Sequence, residues 1–322
     1  MRIRFFTGLI FLSISFSLKS QELFPLNDPA SNIPRGALSI RLSNNFYKNE
    51  LGDVKHMSML RMSYGISPRW AIMLQSTASN HHGRNLPENF IQPNGGLSGG
   101  YHIHNHIGHI GDYPYVFNGF ILSPKWMFLK RDGEKRHLRA ALYMQGAWLN
   151  IAPHLAEGNL NGQNSGCGGG GMVTGLYKRV ALSLNAGVEY PFDYRDDPAG
   201  LLFKYGRSLY MHGSLGVLTF PFSYKSYDQV NVNLYVEMLS RWYQDAEIYL
   251  HDENVPVSKK SYPDLIAGNY VEAAPGIQFI FGSNTRVDLV TGFPLYNRSY
   301  NKDYPFFQIQ LQRYFYLGHR NG

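Results

Sequence analysis

The sequence predicts an all-β fold, a transmembrane antiparallel up-and-down β-barrel of about twelve strands. Three observations predict it. Apolar and polar residues alternate along many segments, the connections between these segments alternate between short and long, and aromatic residues gather near the segment ends. A strand that separates lipid from a watery interior needs this period of two, because successive side chains point to opposite faces.

The chain opens with the pattern of a secretory signal peptide. Arg2 and Arg4 precede an apolar run that ends at Leu18, and the small residue Ser20 follows. Cleavage after Ser17 is an alternative. The chain thus divides into three predicted parts: a signal peptide over 1–20, a short periplasmic segment over 21–35 and an outer-membrane barrel over 36–322.

Composition excludes several classes of protein. Removal of Arg2, Arg4 and Lys19 with the signal peptide reduces the formal net charge from +7 to +4, and the remaining charges are scattered, so we expect no nucleic-acid partner. The single cysteine, Cys167, excludes an internal disulfide framework. After the signal peptide no stretch approaches the roughly 20 apolar residues that a spanning helix requires. A chain of this kind crosses a membrane as strands.

Alternation is clearest in two segments. One face of the first carries Val180, Leu182, Leu184, Ala186, Val188 and Tyr190, and the other carries Ala181, Ser183, Asn185, Gly187 and Glu189. The last predicted strand sets apolar residues against Gln308, Gln310 and Gln312. A row of glutamine side chains is unlike the dry core of a soluble protein, where each unpaired side-chain amide would cost a few kcal/mol.

Twelve strands are expected, an even number as single-chain bacterial barrels require. Their predicted starts are Ala37, Val54, Arg69, Tyr115, His137, Gly168, Val180, Lys204, Gln229, Ala267, Thr285 and Tyr304. Short connections would lie at a periplasmic rim and long ones, such as 81–112 and 251–266, outside the cell, so both termini would be periplasmic. Aromatic girdles are expected from Tyr64, Trp70, Trp126, Trp148, Trp242, Tyr270 and Tyr316.

Charged residues on the inner face are the predicted functional residues, since ionisable groups at membrane depth must line water or pair with each other. By parity the lumen-lining set is Arg41, Arg139, Arg241, Arg286, Glu189, Glu237, Glu272 and Asp288. Four cations and four anions suggest either a constriction that selects solutes by charge or a self-neutralising network that closes the barrel.

Histidines in the longest outer loop suggest a metal site. His102, His104 and His106 alternate, His109 follows, and His81 and His82 precede them in the same loop. Such spacing could hold zinc, copper or nickel, or the side chains could simply face solvent. Asp193, Asp196 and Asp197 share another outer loop, where solvated charge is favoured over calcium binding. We expect no cofactor.

Two further sequence patterns favour a structural role over a binding or catalytic role. The glycines of 166–171 lack the Lys-Ser or Lys-Thr of a phosphate-binding loop, and we interpret them as a strand with no bulk on its inner face. His212 and Ser214 could form a hydrolytic pair, but they are two polar residues on the lumen side of one strand. We therefore expect no enzymatic activity, with a lipid hydrolase as the weakest alternative.

Several short motifs resemble a family of bacterial outer-membrane barrels grouped with the phenol meta-pathway channels, as found in Bacteroidetes-type genomes. They are Asn-Ile-Pro-Arg-Gly at 32–36, Tyr-Gly-Ile-Ser-Pro-Arg at 64–69 and Ala-Gly-Asn-Tyr-Val-Glu at 267–272. The closing 312–316 is similar to the final-strand signals read by the outer-membrane insertion machinery. The resemblance implies a narrow channel or transporter for small solutes, with membrane lipid as its surroundings. A closed barrel that captures metal through its histidine loop is the alternative.

Overall fold

A computed structural model describes residues 24–48, 54–80, 115–150, 160, 164–196, 201–223, 229–250, 255–256, 268–297 and 306–317. Sixteen strands lie within these ranges. In chain order they are β1 (Ala37–Lys48), β2 (Val54–Gly65), β3 (Trp70–Ser79), β4 (Val116–Asp132), β5 (Arg136–Leu149), β6 (Gly166–Tyr177), β7 (Val180–Pro191), β8 (Tyr194–Asp196), β9 (Leu201–Lys204), β10 (Ser208–Phe220), β11 (Asn231–Tyr243), β12 (Glu247–Leu250), β13 (Val255–Pro256), β14 (Gly268–Phe281), β15 (Thr285–Asn297) and β16 (Phe306–Tyr316).

Twelve of these strands form a closed antiparallel barrel, which confirms the predicted fold class. Each barrel strand pairs with the barrel strands before and after it in the chain, and β1 pairs with β16 to close the circle. At that seam Ala37 lies opposite Tyr316 and Arg41 lies opposite Gln312. Closure leaves no unpaired barrel edge, which a chain inside a bilayer requires.

Most connections at one rim of the barrel, called here the short-turn rim, are short, and most of those at the other, the long-loop rim, are longer, with 49–53 as a short exception. The connections at the short-turn rim are 66–69, 133–135, 178–179, 221–230 and 282–284. At the long-loop rim, β8, β9, β12 and β13 form a separate four-stranded sheet. Eleven of the twelve predicted strand starts lie within two residues of those observed. Lys204 is the exception, because it ends β9 in the smaller sheet, opposite Glu247, and the barrel strand begins at Ser208.

The barrel wall is apolar outside and polar inside, the reverse of a water-soluble protein. Along β7, Leu182 and Leu184 are 51% and 53% exposed, whereas Ser183 between them is fully buried. The glutamines of β16 are buried while Ile309 beside them is exposed. An apolar outer band of this kind matches the hydrocarbon of a membrane.

Aromatic side chains occupy both ends of this outer band. Trp70 stacks on Trp126 with ring centroids 6.0 Å apart at the short-turn rim, and Phe120 lies 5.7 Å from Trp148 toward the other rim. Tyr270 is a correction to the predicted girdle. It hydrogen-bonds with Arg241 inside the barrel, because residues 270 and 241 are register partners with the same inward parity.

The described part of the chain before β1 lies inside the barrel. Residues 24–35, called here the lumenal segment, pass through the short-turn rim next to Gly65. A Cβ at Gly65 would overlap the carbonyl oxygen of Pro34, so this position must be glycine for the two backbones to pass. The sequence predicts 21–35 as a short periplasmic segment, whereas its described part follows the inner wall of the barrel.

Candidate functional site: the barrel lumen

Glu237 holds the lumenal segment to strand β11. Its carboxylate accepts the backbone N–H of Leu26 at 3.0 Å and that of Asn27 at 2.7 Å. It also accepts the hydroxyl of Ser214 at 3.2 Å, and Ser214 in turn accepts the amide of Asn27 at 2.8 Å. Glu237 is fully buried. A buried carboxylate is tolerated where donors surround it, and here the lumenal segment supplies two of them.

Asp28 is the acidic side chain of the lumenal segment. Its Oδ1 lies 2.7 Å from Arg61 Nη1 and 3.7 Å from Arg41 Nη1. Burial works to raise the pKa of this carboxyl, but the charges of Arg61, Arg41 and Lys125 outweigh it and hold the pKa below its usual value. Asp28 is therefore ionised at neutral pH, and its side chain is 35% exposed toward the lumen.

Three further wall residues fix the middle of the lumenal segment. Lys125 donates from Nζ to the carbonyls of Pro29 and Ser31, at 3.1 and 2.8 Å. Thr174 accepts the backbone N–H of Ala30 at 2.8 Å, and Arg139 donates to the Ser31 hydroxyl at 2.8 Å. Backbone N–H and C=O groups of the lumenal segment, which would otherwise be buried without hydrogen bonds, therefore have hydrogen-bond partners on the barrel wall.

Apolar contacts anchor the two ends of the lumenal segment. Phe24 is fully buried in a cluster with residues of four strands, namely Ala181, Tyr235, Ala274 and Val290. Ile33 packs with Ala37 and Tyr314 beside the short-turn rim. The lumenal segment is thus built into the core of the barrel.

Beside the lumenal segment lies an open cavity. One part of its lining is apolar and includes Ile33, Ala71, Met73, Ile121 and Met172. Another part is polar and includes Asp28, Arg61, Lys125, Gln145, Glu189, Tyr210, His212 and Arg241. The lining of this cavity offers a small molecule both apolar contact and charge.

An ion pair lies at the end of this cavity nearer the long-loop rim. Arg241 donates to Glu189 and, at 2.7 Å, to Ser208. Glu189 also accepts the amide of Gln145 at 3.0 Å. The guanidinium of Arg241 lies 5.6 Å from the ring centre of Tyr210, in cation–π range. The two charges therefore neutralise each other while they remain part of the lining.

Polar side chains cover the inner face of β1 and β14–β16 and form hydrogen bonds with one another. Asp288 accepts from Gln278 at 2.9 Å and from Gln310 at 3.1 Å. Arg286 donates to the Tyr314 hydroxyl at 2.8 Å. Both charged residues are buried, so this side of the lumen is packed and the cavity lies against the opposite side.

All eight residues predicted to line the lumen lie on the inner side, but they serve three different purposes. Arg41, Arg139 and Glu237 contact the lumenal segment. Glu189 and Arg241 pair at the cavity. Arg286, Asp288 and Glu272 are buried in the packed wall. Arg139 is half-buried and also contacts Asp132 at the short-turn rim. The sequence-based set lacks Asp28, Arg61 and Lys125. Arg61 on β2 and Lys125 on β4 occupy inward-facing positions of the strand alternation and could have been included.

Ser214 and His212 lie on the inner side of β10, as predicted. The Ser214 hydroxyl donates to Glu237 rather than to an imidazole, while His212 lines the cavity with its ring 5.0 Å from that of Tyr210. A serine nucleophile needs a base that takes its proton. The arrangement gives the hydrolase alternative no support.

The glycines of β6 bring that strand close to its neighbours. A Cβ at Gly168 would lie 2.8 Å from the carbonyl oxygen of Val188 and 3.2 Å from Cγ of Glu189. Leu160, from the connection between β5 and β6, is buried against Ile121 and Ala147. A loop residue thus uses space along this inner face, in agreement with the interpretation from sequence.

The predicted metal ligands His102, His104, His106 and His109 lie outside the described residues, as do His81 and His82. In the part of the chain that the structure covers, no group of three or more His, Cys, Asp or Glu converges as for a metal ion. The signal peptide also lies outside that part. Within it, no helix is long and apolar enough to cross a membrane.

No protein-family model and no curated protein matches the chain. Among solved structures it is similar to an outer-membrane channel from Pseudomonas putida F1, with 12% identity and a TM-score of 0.57 over 91% of this chain and 100% of that one. The NanC porin has 7% identity and a TM-score of 0.42 over 87% and 98% of the chains, and the KdgM porin 6% and 0.40 over 85% and 98%. The first likeness shows that the chain has the fold of an outer-membrane channel.

Proposed function

We propose that this protein is a narrow outer-membrane channel for small solutes, with the lumenal segment as its constriction. The observation that carries the proposal is the open cavity between the lumenal segment and the wall, which is lined by both charged and apolar side chains. Twelve strands also enclose a lumen between those of filled eight-stranded barrels and open porins of sixteen or more.

Orientation and relationship form part of the same proposal. The short-turn rim would face the periplasm, as in barrels of this kind, which places both ends of the mature chain there. The residues of 32–36 and 64–69, which resemble the phenol meta-pathway channel family of Bacteroidetes-type genomes, meet at that rim, where Gly36 N–H donates to the Gly65 carbonyl at 2.8 Å. Membrane lipid would surround the barrel after assembly by the outer-membrane insertion machinery.

Single-channel recording tests the proposal. Folded protein, checked by heat-dependent migration on a gel, is inserted into a planar bilayer in KCl, and we expect discrete conductance steps well below those of a sixteen-stranded porin measured in the same chamber. A lysate fraction from cells without the protein is the control. A flat trace over repeated verified insertions would show that the lumen is closed.

A further inference from the structure

One part of the short-turn rim carries an excess of positive charge. Residues 130–139 and 177–179 contain seven Lys or Arg side chains against two carboxylates. The two stretches lie side by side, because the Lys178 N–H donates to the carbonyl of Lys135 at 2.9 Å. One of the two carboxylates, that of Asp132, is already bound by neighbouring basic side chains, namely Lys130, His137 and Arg139.

Three of these cations lie on the outer surface of the wall, next to the apolar outer band. They are Arg131, Arg136 and Lys178, called here the rim cations. Arg131 is the register partner of Leu138 and Arg136 that of Tyr177, and both partners are exposed on the outer band. Arg136 and Lys178 each lie 5.3 Å from the centre of the Tyr177 ring, a contact that orients the two cations without cancelling their charge. Among the carboxylates that the structure describes, none forms an ion pair with a rim cation.

We propose that the rim cations bind the phosphodiester headgroup of an anionic phospholipid. Guanidinium groups match the oxygens of a phosphate with paired hydrogen bonds, and the ammonium of Lys178 adds charge. Membrane lipid is the occupant that fits, because the cations border the exposed side chains of Leu138 and Val180, along which the acyl chains would lie. A tyrosine at the boundary between headgroups and hydrocarbon is typical of a membrane interface.

The charge of the rim cations also predicts a preference among lipids. A basic cluster at a membrane surface attracts anionic lipids, whereas the ammonium of a zwitterionic headgroup opposes such attraction. Phosphatidylglycerol should therefore bind more tightly than phosphatidylethanolamine. This inference requires the barrel to lie in a membrane and does not require conduction.

Native mass spectrometry of the folded protein, released from a neutral detergent, tests the site by counting bound lipids. The probes are phosphatidylglycerol and phosphatidylethanolamine with identical acyl chains, and we expect at least fivefold tighter binding of the first. The combined substitutions Arg131→Gln, Arg136→Gln and Lys178→Gln should weaken phosphatidylglycerol binding at least tenfold and phosphatidylethanolamine binding much less.

The matched control removes three positive charges at the long-loop rim, where Arg207 also lies beside a tyrosine, with its guanidinium 5.2 Å from the ring centre of Tyr190. It combines Arg195→Gln, Lys204→Gln and Arg207→Gln and should leave both lipid affinities unchanged. Heat-dependent migration on a gel verifies that each variant is folded.

Three results would overturn the site. One is equal binding of the two lipids, and another is a preference that persists without the rim cations or is lost equally in the control variant. The third is displacement of phosphatidylglycerol by inorganic phosphate at the same concentration, which would identify a site for free anions. Conductance plays no part in these measurements, so the channel proposal is tested separately.

Discussion

Glu237 is the wall residue that accepts hydrogen bonds from the start of the described lumenal segment. Its two carboxylate oxygens accept two consecutive backbone N–H groups, an arrangement that fixes the position of Leu26 and Asn27 against β11. A buried backbone N–H group that loses its acceptor costs roughly 1–3 kcal/mol. The position of the lumenal segment therefore depends measurably on this one carboxylate.

The substitution Glu237→Gln should loosen the lumenal segment. An amide keeps the shape but turns one acceptor into a donor, which opposes one of the two N–H groups. We expect amide hydrogen exchange at Leu26 and Asn27 to become roughly ten- to hundredfold faster, as 1.4 kcal/mol corresponds to a factor of ten. Exchange within β7 should not change. Glu134→Gln, in the exposed 133–135 turn, is the matched control. Unaltered exchange at Leu26 would show that Glu237 does not hold this part of the segment.

Asp28 gives a prediction on pH. Its pKa is lowered in the folded protein, so its ion pair with Arg61 is fully present above the usual aspartate pKa of about 3.9 and is lost as the pH falls through the lowered value. At pH 7, Asp28→Asn should therefore be more anion-selective than the natural protein, measured as the reversal potential in a KCl gradient. The two should converge only as the pH falls through that lowered value. Convergence already at or above pH 3.9 would contradict the assignment.

At the scale of elements, the glycines of β6 set how closely the strands approach. Gly170→Ala should destabilise the barrel by about 1–3 kcal/mol, because the added Cβ would overlap the Ala186 carbonyl and lie 2.8 Å from Cα of Gly187. Gly175→Ala on the same strand meets nothing within 4 Å and is the control. Urea unfolding in lipid vesicles, followed by gel migration, measures both. Equal midpoints would mean that the strands separate at little cost.

The barrel strands could be predicted because lipid imposes the period of two on their sequences. Val180 to Tyr190 alternates almost without fault, and β7 begins at Val180 as expected. The lumenal segment has no such signal. Pro25, Pro29 and Pro34 interrupt it, and its partners lie far away in sequence, as with Asn27 and Glu237, which are 210 residues apart. No pattern in the neighbouring sequence indicates that pairing. The position of Asp28 beside Arg61 therefore could not be predicted from the sequence.

The smaller sheet at the long-loop rim could not be predicted from the sequence either. β9 pairs with β12, and the residues that meet, such as Phe203 and Ile248, belong to different connections. Their sequences are too short to establish a period, and the assignment of Lys204 to a barrel strand followed from that. Parity along the barrel strands was more informative, since it placed all eight predicted charged residues on the inner side.

At the scale of the whole molecule, the interior combines a packed wall with a constriction that is firmly bound. Glu237, Arg41, Lys125, Thr174 and Arg139 all contact the lumenal segment, and they come from different strands around the barrel. Withdrawal of the whole segment would break these contacts together and expose Phe24. We therefore expect the segment to remain in place while solutes pass beside it, and the channel to be narrow rather than gated.

Two variants test this fixed constriction. In a Cys167→Ser background, Asn27→Cys with Ser214→Cys replaces side chains whose tip atoms, Asn27 Nδ2 and Ser214 Oγ, lie 2.8 Å apart. A disulfide between them, verified by mass spectrometry before recording, ties the lumenal segment to β10. We expect equal conductance in the oxidised and reduced forms, because the segment does not need to leave. Deletion of residues 24–35 should raise conductance several-fold, since the twelve strands still close without it. Heat-dependent migration verifies that each variant is folded. If oxidation abolished conductance, the lumenal segment would be a gate, because conduction would then require it to move away from Ser214.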